Sequence, residues 1–114
     1  MIVAHVPDLM DRSKVQAAAP VGEELRFVAS PTDLADVART VPTRLVVVDL
    51  GRPGVLDVLP AVVAAVGPGA AVIGFGSHVD REVLEAARAA GCSDVLARSE
   101  FFRRLPDVLA RPAT

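Results

Sequence analysis

Asp49 stands at the end of an apolar run. In RLVVVDLGRPG, residues 44 to 54, four apolar residues (Leu45 to Val48) lead into one carboxylate and then into a loop of glycine and proline. A charge at the end of a buried strand is costly unless it is compensated. Asp49 is therefore either a reactive acid or a structural one. His5 and His78 also fall near strand ends, and two imidazoles with one carboxylate could hold Zn²⁺ or a similar ion. No ligand-spacing motif joins them, and each histidine can equally tip a strand or loop. Arg98 follows the last apolar run and is expected to pair with Asp49 across the same edge. Asp8 suits a helix N-cap and Asp11 a solvated first turn. Cys92 reads as a small buried hydrophobe, because nothing in the sequence puts a cation or a helix N-terminus beside it. Neither GxGxxG nor GxxxxGK[ST] follows the first strand, so a phosphate-cradling loop is not indicated. "GFGSH" offers only a Gly-x-Gly.

The elements that must position these groups alternate. Short runs rich in Val, Leu and Ile predict strands at Ile2–Val6, Leu25–Ala29, Leu45–Asp49, Ala71–Phe75 and Asp94–Ala97. Helical patterns separate them. The first runs from Leu9 to about Ala19, stopped by Pro20. The second follows SPTD, with Ser30 as N-cap, Pro31 at the first helical position and Asp33 reaching back, and continues to about Thr40. The third covers about Val55 to Val66 and stops at Gly67; Pro60 inside it suggests a regular helix starting as late as Asp57. The fourth spans Asp80–Ala90 and is stopped by Gly91. The fifth is Glu100–Ala110, capped by Ser99. Strict alternation of this kind predicts an α/β fold, a doubly wound five-stranded parallel sheet with both faces covered. Residues 1–110 form one domain, and residues 111–114 are expected to fray.

The 114 residues are 52% hydrophobic with a net charge of −2. The mean hydropathy is +0.44 and the isoelectric point near 5.6. The longest apolar run, Ala61 to Val66, is far short of the ~20 residues that cross a bilayer. No secretory-signal pattern is expected. The single cysteine fits a reducing cytoplasm. Arginines are scattered and Trp and Tyr are absent, which argues against a nucleic-acid surface. The preference for Ala, Val, Arg and Gly over Lys suggests a GC-rich genome.

With this order of elements, the chain resembles the receiver domain of bacterial response regulators (CheY-like) over nearly its full length. The most specific match is Asp49 with Pro53 four residues on, the spacing that the family shows at its phosphoacceptor. "ARAAGCSDVLARS" is similar to the family's fourth helix, turn and fifth strand. The resemblance implies the flavodoxin-like strand order 2-1-3-4-5 and a site at the carboxyl edge. It also implies two adjacent acids at the end of the first strand to hold Mg²⁺, and those positions carry His5 and Val6. A switch hydroxyl is implied where Gly76 stands, with Ser77 one place late. A lysine is implied where Arg98 stands; arginine keeps the charge but not the reach or geometry. An aromatic switch is implied at Val95. A cobalamin-binding relative would resemble Asp-x-His-x-x-Gly, which "PDLMDRS" lacks.

The resemblance with these departures implies a pseudo-receiver: a cytoplasmic, non-enzymatic module of two-component type signalling, acting by protein–protein interaction without phosphorylation and without Mg²⁺ or another cofactor. The first alternative is a phosphoreceiver accepting a phosphoryl group on Asp49, at most a self-transfer. The second is a small-ligand or metal-binding domain of the same fold. The expected partner is another protein or a second copy of this chain, met through the last-helix face as in the family's dimers; neither nucleic acid nor membrane is expected. In SEFFRRLPDVLA, Phe101 and Phe102 point about 100° apart on a helix. One is expected in the core stripe and the other at its margin beside Arg103, Arg104 and the fourth helix's Glu82, Glu85 and Arg88. Phe101, Phe102 and Arg104 are the candidate contact residues.

Overall fold

The computed structural model describes residues 1–111. Five strands alternate with helices: β1 (Ile2–His5), α1 (Leu9–Ala18), β2 (Leu25–Phe27), α2 (Asp33–Thr40), β3 (Leu45–Asp49), α3 (Val55–Val66), β4 (Ala71–Gly76), α4 (Arg81–Ala89), β5 (Asp94–Ala97), α5 (Arg98–Arg103) and α6 (Leu105–Leu109). The strands form one parallel sheet in the order β2-β1-β3-β4-β5, as expected. The three central strands are buried at every residue, so neither face of the sheet is solvated and the near-continuous Val/Leu/Ile pattern follows.

Alternate residues of each strand feed two cores. Ile2, Ala4, Val47, Ile73 and Phe75 pack against Val15 of α1 and against Phe101, Leu105 and Leu109. Val3, Val46, Val48 and Val72 pack against Leu34 of α2, Leu59 of α3 and Leu84 of α4. The helices thus lie on both faces, and right-handed crossovers bring every βα loop to the carboxyl edge of the sheet.

Three helix boundaries differ from expectation. Helix α2 starts at Asp33 after Thr32, with no side-chain cap. Ser30 and Thr32 instead hydrogen-bond each other through their hydroxyls at 2.8 Å, and Ser30 and Pro31 form the preceding turn. Helix α3 is regular from Val55 despite Pro60. Burial of Val55, Leu59 and Val62 outweighs the hydrogen bond that a proline cannot donate to Leu56. The last helix starts at Arg98 without a Ser99 cap and breaks at Arg104, because Pro106 lacks the N–H that would bond Phe102. Of the expected loose tail, Arg111 is tied down: its carbonyl accepts from Arg44, and its guanidinium meets Asp94 at 3.3 Å. Residues 112–114 lie outside the described residues.

Candidate functional site

The carboxyl edge gathers Asp8, Asp11, Asp49, Arg52 and Arg98. Asp49 ends β3 opposite Phe75 of β4 and is 8% exposed. Both of its carboxylate oxygens are held: the Gly51 N–H donates to Oδ1 at 3.0 Å, and Arg52 Nε donates to Oδ2 at 3.3 Å. The turn through Gly51 and Arg52 that follows the strand brings these donors back onto the acid. An i, i+3 ion pair of this kind, half exposed on the arginine side, is a modest contact, yet it places a cation directly on the acid.

The expected Asp49–Arg98 pair is not formed. Arg98 donates instead to Asp11, 87 positions away on the first turn of α1. Asp49 is nearer to its own loop arginine, which needs no long-range docking to reach it. The Asp11 hydrogen bond raises the pKa of Arg98 further, with lesser contributions from the charges of Asp11, Asp49 and Asp8. Asp11 was expected to be solvated and is 2% exposed. Helical spacing could have revealed it, since residues 11 and 15 share a face and Val15 is core. The apolar Leu9 and Met10 beside it are 75% and 71% exposed, so the first turn of α1 is inverted: apolar outside, acid inside.

Asp8 caps α1 as expected, accepting the Asp11 N–H at 3.0 Å. That hydrogen bond is the main reason its carboxyl lies below the ordinary range; desolvation opposes it, and Met10 N–H, Arg52 and Arg98 add to it. Arg52 and Arg98 therefore share one field with three carboxylates.

The residues considered as metal ligands are not brought together. His5 is buried, and its Nδ1 donates to the Val28 carbonyl at 3.0 Å; a carbonyl can only accept, so that nitrogen carries the proton. His78 lies exposed beyond β4, beside Arg81 and Glu85. Among the described residues no three or more His, Cys, Asp or Glu side chains are placed to hold a metal ion. At the expected hydroxyl position, β4 continues through Gly76, whose Cα faces the Leu84 and Leu50 side chains. The Ser77 hydroxyl accepts from the Val79 N–H at 3.4 Å, a local turn contact. Val95 is core.

The two phenylalanines divide as the helix geometry requires, but the margin lies on another side. Phe101 is fully buried and stacks on Phe75 with centroids 4.3 Å apart, so it is not available as a contact residue. Phe102 is half-buried and lies beneath Arg98 (4.9 Å) and Lys14 of α1 (5.2 Å), not beside α4. Phe102 thus meets α1, through Lys14. Arg103 and Arg104 are exposed, and Arg104 pairs with Glu100 at 3.1 Å.

No protein-family profile and no curated protein matches the sequence. Solved structures do match in fold. The chain is similar to a response regulator from Hahella chejuensis at a TM-score of 0.78, with 19% identity over 96% of this chain and 91% of that one. It is similar to a CheY-like protein, tadZ, from Pseudomonas aeruginosa at 0.76, with 18% identity over 96% of each chain. The pilus assembly protein CpaE from Caulobacter crescentus matches at 0.69, with 18% identity over 99% of this chain and 93% of that one. The chain thus has the flavodoxin-like fold of CheY-like receiver domains. Among the described residues no helix is long and apolar enough to cross a membrane.

Proposed function

We propose that this chain is a receiver-like signalling module that works by protein–protein contact, without phosphorylation and without enzymatic activity of its own. The observation that carries this reading is the state of the acceptor position. Both Asp49 oxygens are engaged by its own loop, and the neighbouring cation, Arg98, is engaged by Asp11. An incoming phosphoryl group would have to displace Arg52 and approach three carboxylates.

The donors present do not suit Mg²⁺. Where an acid pair would be needed stand a buried histidine committed to a carbonyl and a buried valine, and the guanidiniums of Arg52 and Arg98 already pair with Asp49 and Asp11. No step through a metal is therefore part of this reading. The fold serves proteins named both as response regulators and as a pilus assembly protein, which is compatible with use as an assembly or docking module. The partner in this reading is another protein or a second copy, met at the last-helix surface where Arg103 and Arg104 are exposed. A bacterial cytoplasm is its setting, to which a single, partly buried cysteine is suited.

Acetyl phosphate with Mg²⁺ tests the reading by intact mass. The expected result is no added phosphoryl group in the wild type. A stoichiometric aspartyl phosphate that disappears in Asp49→Asn would replace it with the phosphoreceiver reading. Sedimentation of wild type and Arg104→Glu over a range of concentrations tests the surface: a self-association weakened by the substitution identifies a second copy as partner.

A further inference from the structure

Helix α1 is held to the rest of the molecule in an unusual way. Of its ten residues only Asp11 and Val15 are buried, with Ala18 half-buried against the core. One valine is little apolar surface for docking a helix of this length. The remaining side-chain contacts are polar: Arg12 lies over the Phe27 ring of β2 at 4.6 Å, and the others run to α5. Asp11 accepts from Arg98, and Lys14, one turn on along the same face, places its ammonium 5.2 Å from the Phe102 centroid. Arg98 itself lies over Phe102 at 4.9 Å and over Phe75 at 5.8 Å. On its other side α1 borders a cleft of about 250 Å³ lined by Val6, Pro7, Arg12, Phe27, Val28 and Ala29, so packing there is incomplete.

We propose that the Asp11–Arg98 pair is a latch that fastens α1 to the start of α5, and that α1 is the element of this fold that opens. Asp11 and Lys14 on α1 engage Arg98 and Phe102 on α5, and the aromatic trio Phe75, Phe101 and Phe102 provides the rigid floor, with centroids 4.3 to 5.4 Å apart. With the latch broken, Asp11 is an uncompensated buried carboxylate, and departure of its helix from the sheet returns it to water. An acidic group on a partner that competes for Arg98, which is about half exposed, would release the helix in the same way. The latch is independent of whether Asp49 accepts a phosphoryl group.

Native-state amide exchange by NMR tests it on the whole chain. Two variants are compared with wild type: Arg98→Met, which keeps an apolar stem over the rings without charge, and Asp11→Asn, which keeps the shape of the buried side chain. In Arg98→Met, whose Asp11 carboxylate is left unpaired, amides of residues 12–18 should exchange at least about tenfold faster while those of β3 change by much less, the signature of local opening. Asp11→Asn should give the same selectivity with a smaller factor, because the buried charge is removed with its partner's contact. Equal acceleration of α1 and β3 in Arg98→Met, or unchanged α1 exchange, overturns the latch. So does an acceleration in Asp11→Asn that is confined to β3.

Discussion

Leu50 lies against the fourth strand at Gly74, where an added Cβ would come within 2.8–2.9 Å of three atoms of the leucine side chain. Leu50 is 3% exposed, so it has little room to move aside. Gly74→Ala should therefore destabilise the fold by about 1–3 kcal/mol, through overpacking. Urea unfolding measures it, and a midpoint equal to wild type would show that Leu50 repacks freely. In the Gly74→Ala/Leu50→Ala double variant the two costs should not add, because the second change empties the space that the first one fills. At the same scale, burial pushes the Cys92 thiol up to about 11, so at neutral pH it is a packing group and not a thiolate.

Among the elements, α5 and α1 are held by opposite means. The first is held by ring burial, and Phe101→Ala should cost about 3–5 kcal/mol. Phe102→Ala, at a half-buried ring shared with Arg98 and Lys14, should cost distinctly less. Equal losses of urea midpoint for the two would mean that Phe102 is as much core as its neighbour. The segment was legible as amphipathic, but its division at Arg104 was not. A proline at the second position of a helix is compatible with either a continuation or a new start, and the packing of Leu105, Val108 and Leu109 selects the second. The first turn of α1 misled in the same way. Asp11 was read as solvated because a charge on a first turn ordinarily is, yet it shares the face of Val15, and Arg98 across the sheet edge compensates its burial.

At the scale of the molecule, the amino edge of the sheet is closed by Arg44. Its guanidinium donates to Glu23 at 2.7 and 3.0 Å, to the Leu109 carbonyl at 2.6 Å and to the Arg111 carbonyl, so the starts of β2 and β3 are joined to the end of α6. Burial alone would raise the Glu23 carboxyl. The hydrogen bonds and charges of Arg44 and of the Met1 amine outweigh it and hold the pKa below the usual 4.5. A carboxyl depressed in the folded state contributes stability that is fully present above the unfolded pKa and is lost as pH falls through the folded one. The urea midpoint of wild type should accordingly drop on acidification below about 4.5. Glu23→Gln should be less stable at neutral pH and should lose less across that window. Parallel pH profiles for the two proteins would show that Glu23 carries no such linkage.

The periodicity of the chain determined the alternation of strands and helices, the parallel sheet and the place of Asp49. A strand buried on both faces must be apolar throughout, and its end is marked by the first charge and the turn residues after it. Charge partners were not determined in that way. Asp49 had two arginines that could reach it, Arg52 three residues on and Arg98 forty-nine residues on. Spacing puts Arg52 within local reach but does not exclude Arg98, whose partner depends on where α1 brings Asp11. Tertiary structure decides it: docking of Val15 carries Asp11 to the start of α5, Arg98 is taken there, and Asp49 is left to the arginine of its own loop.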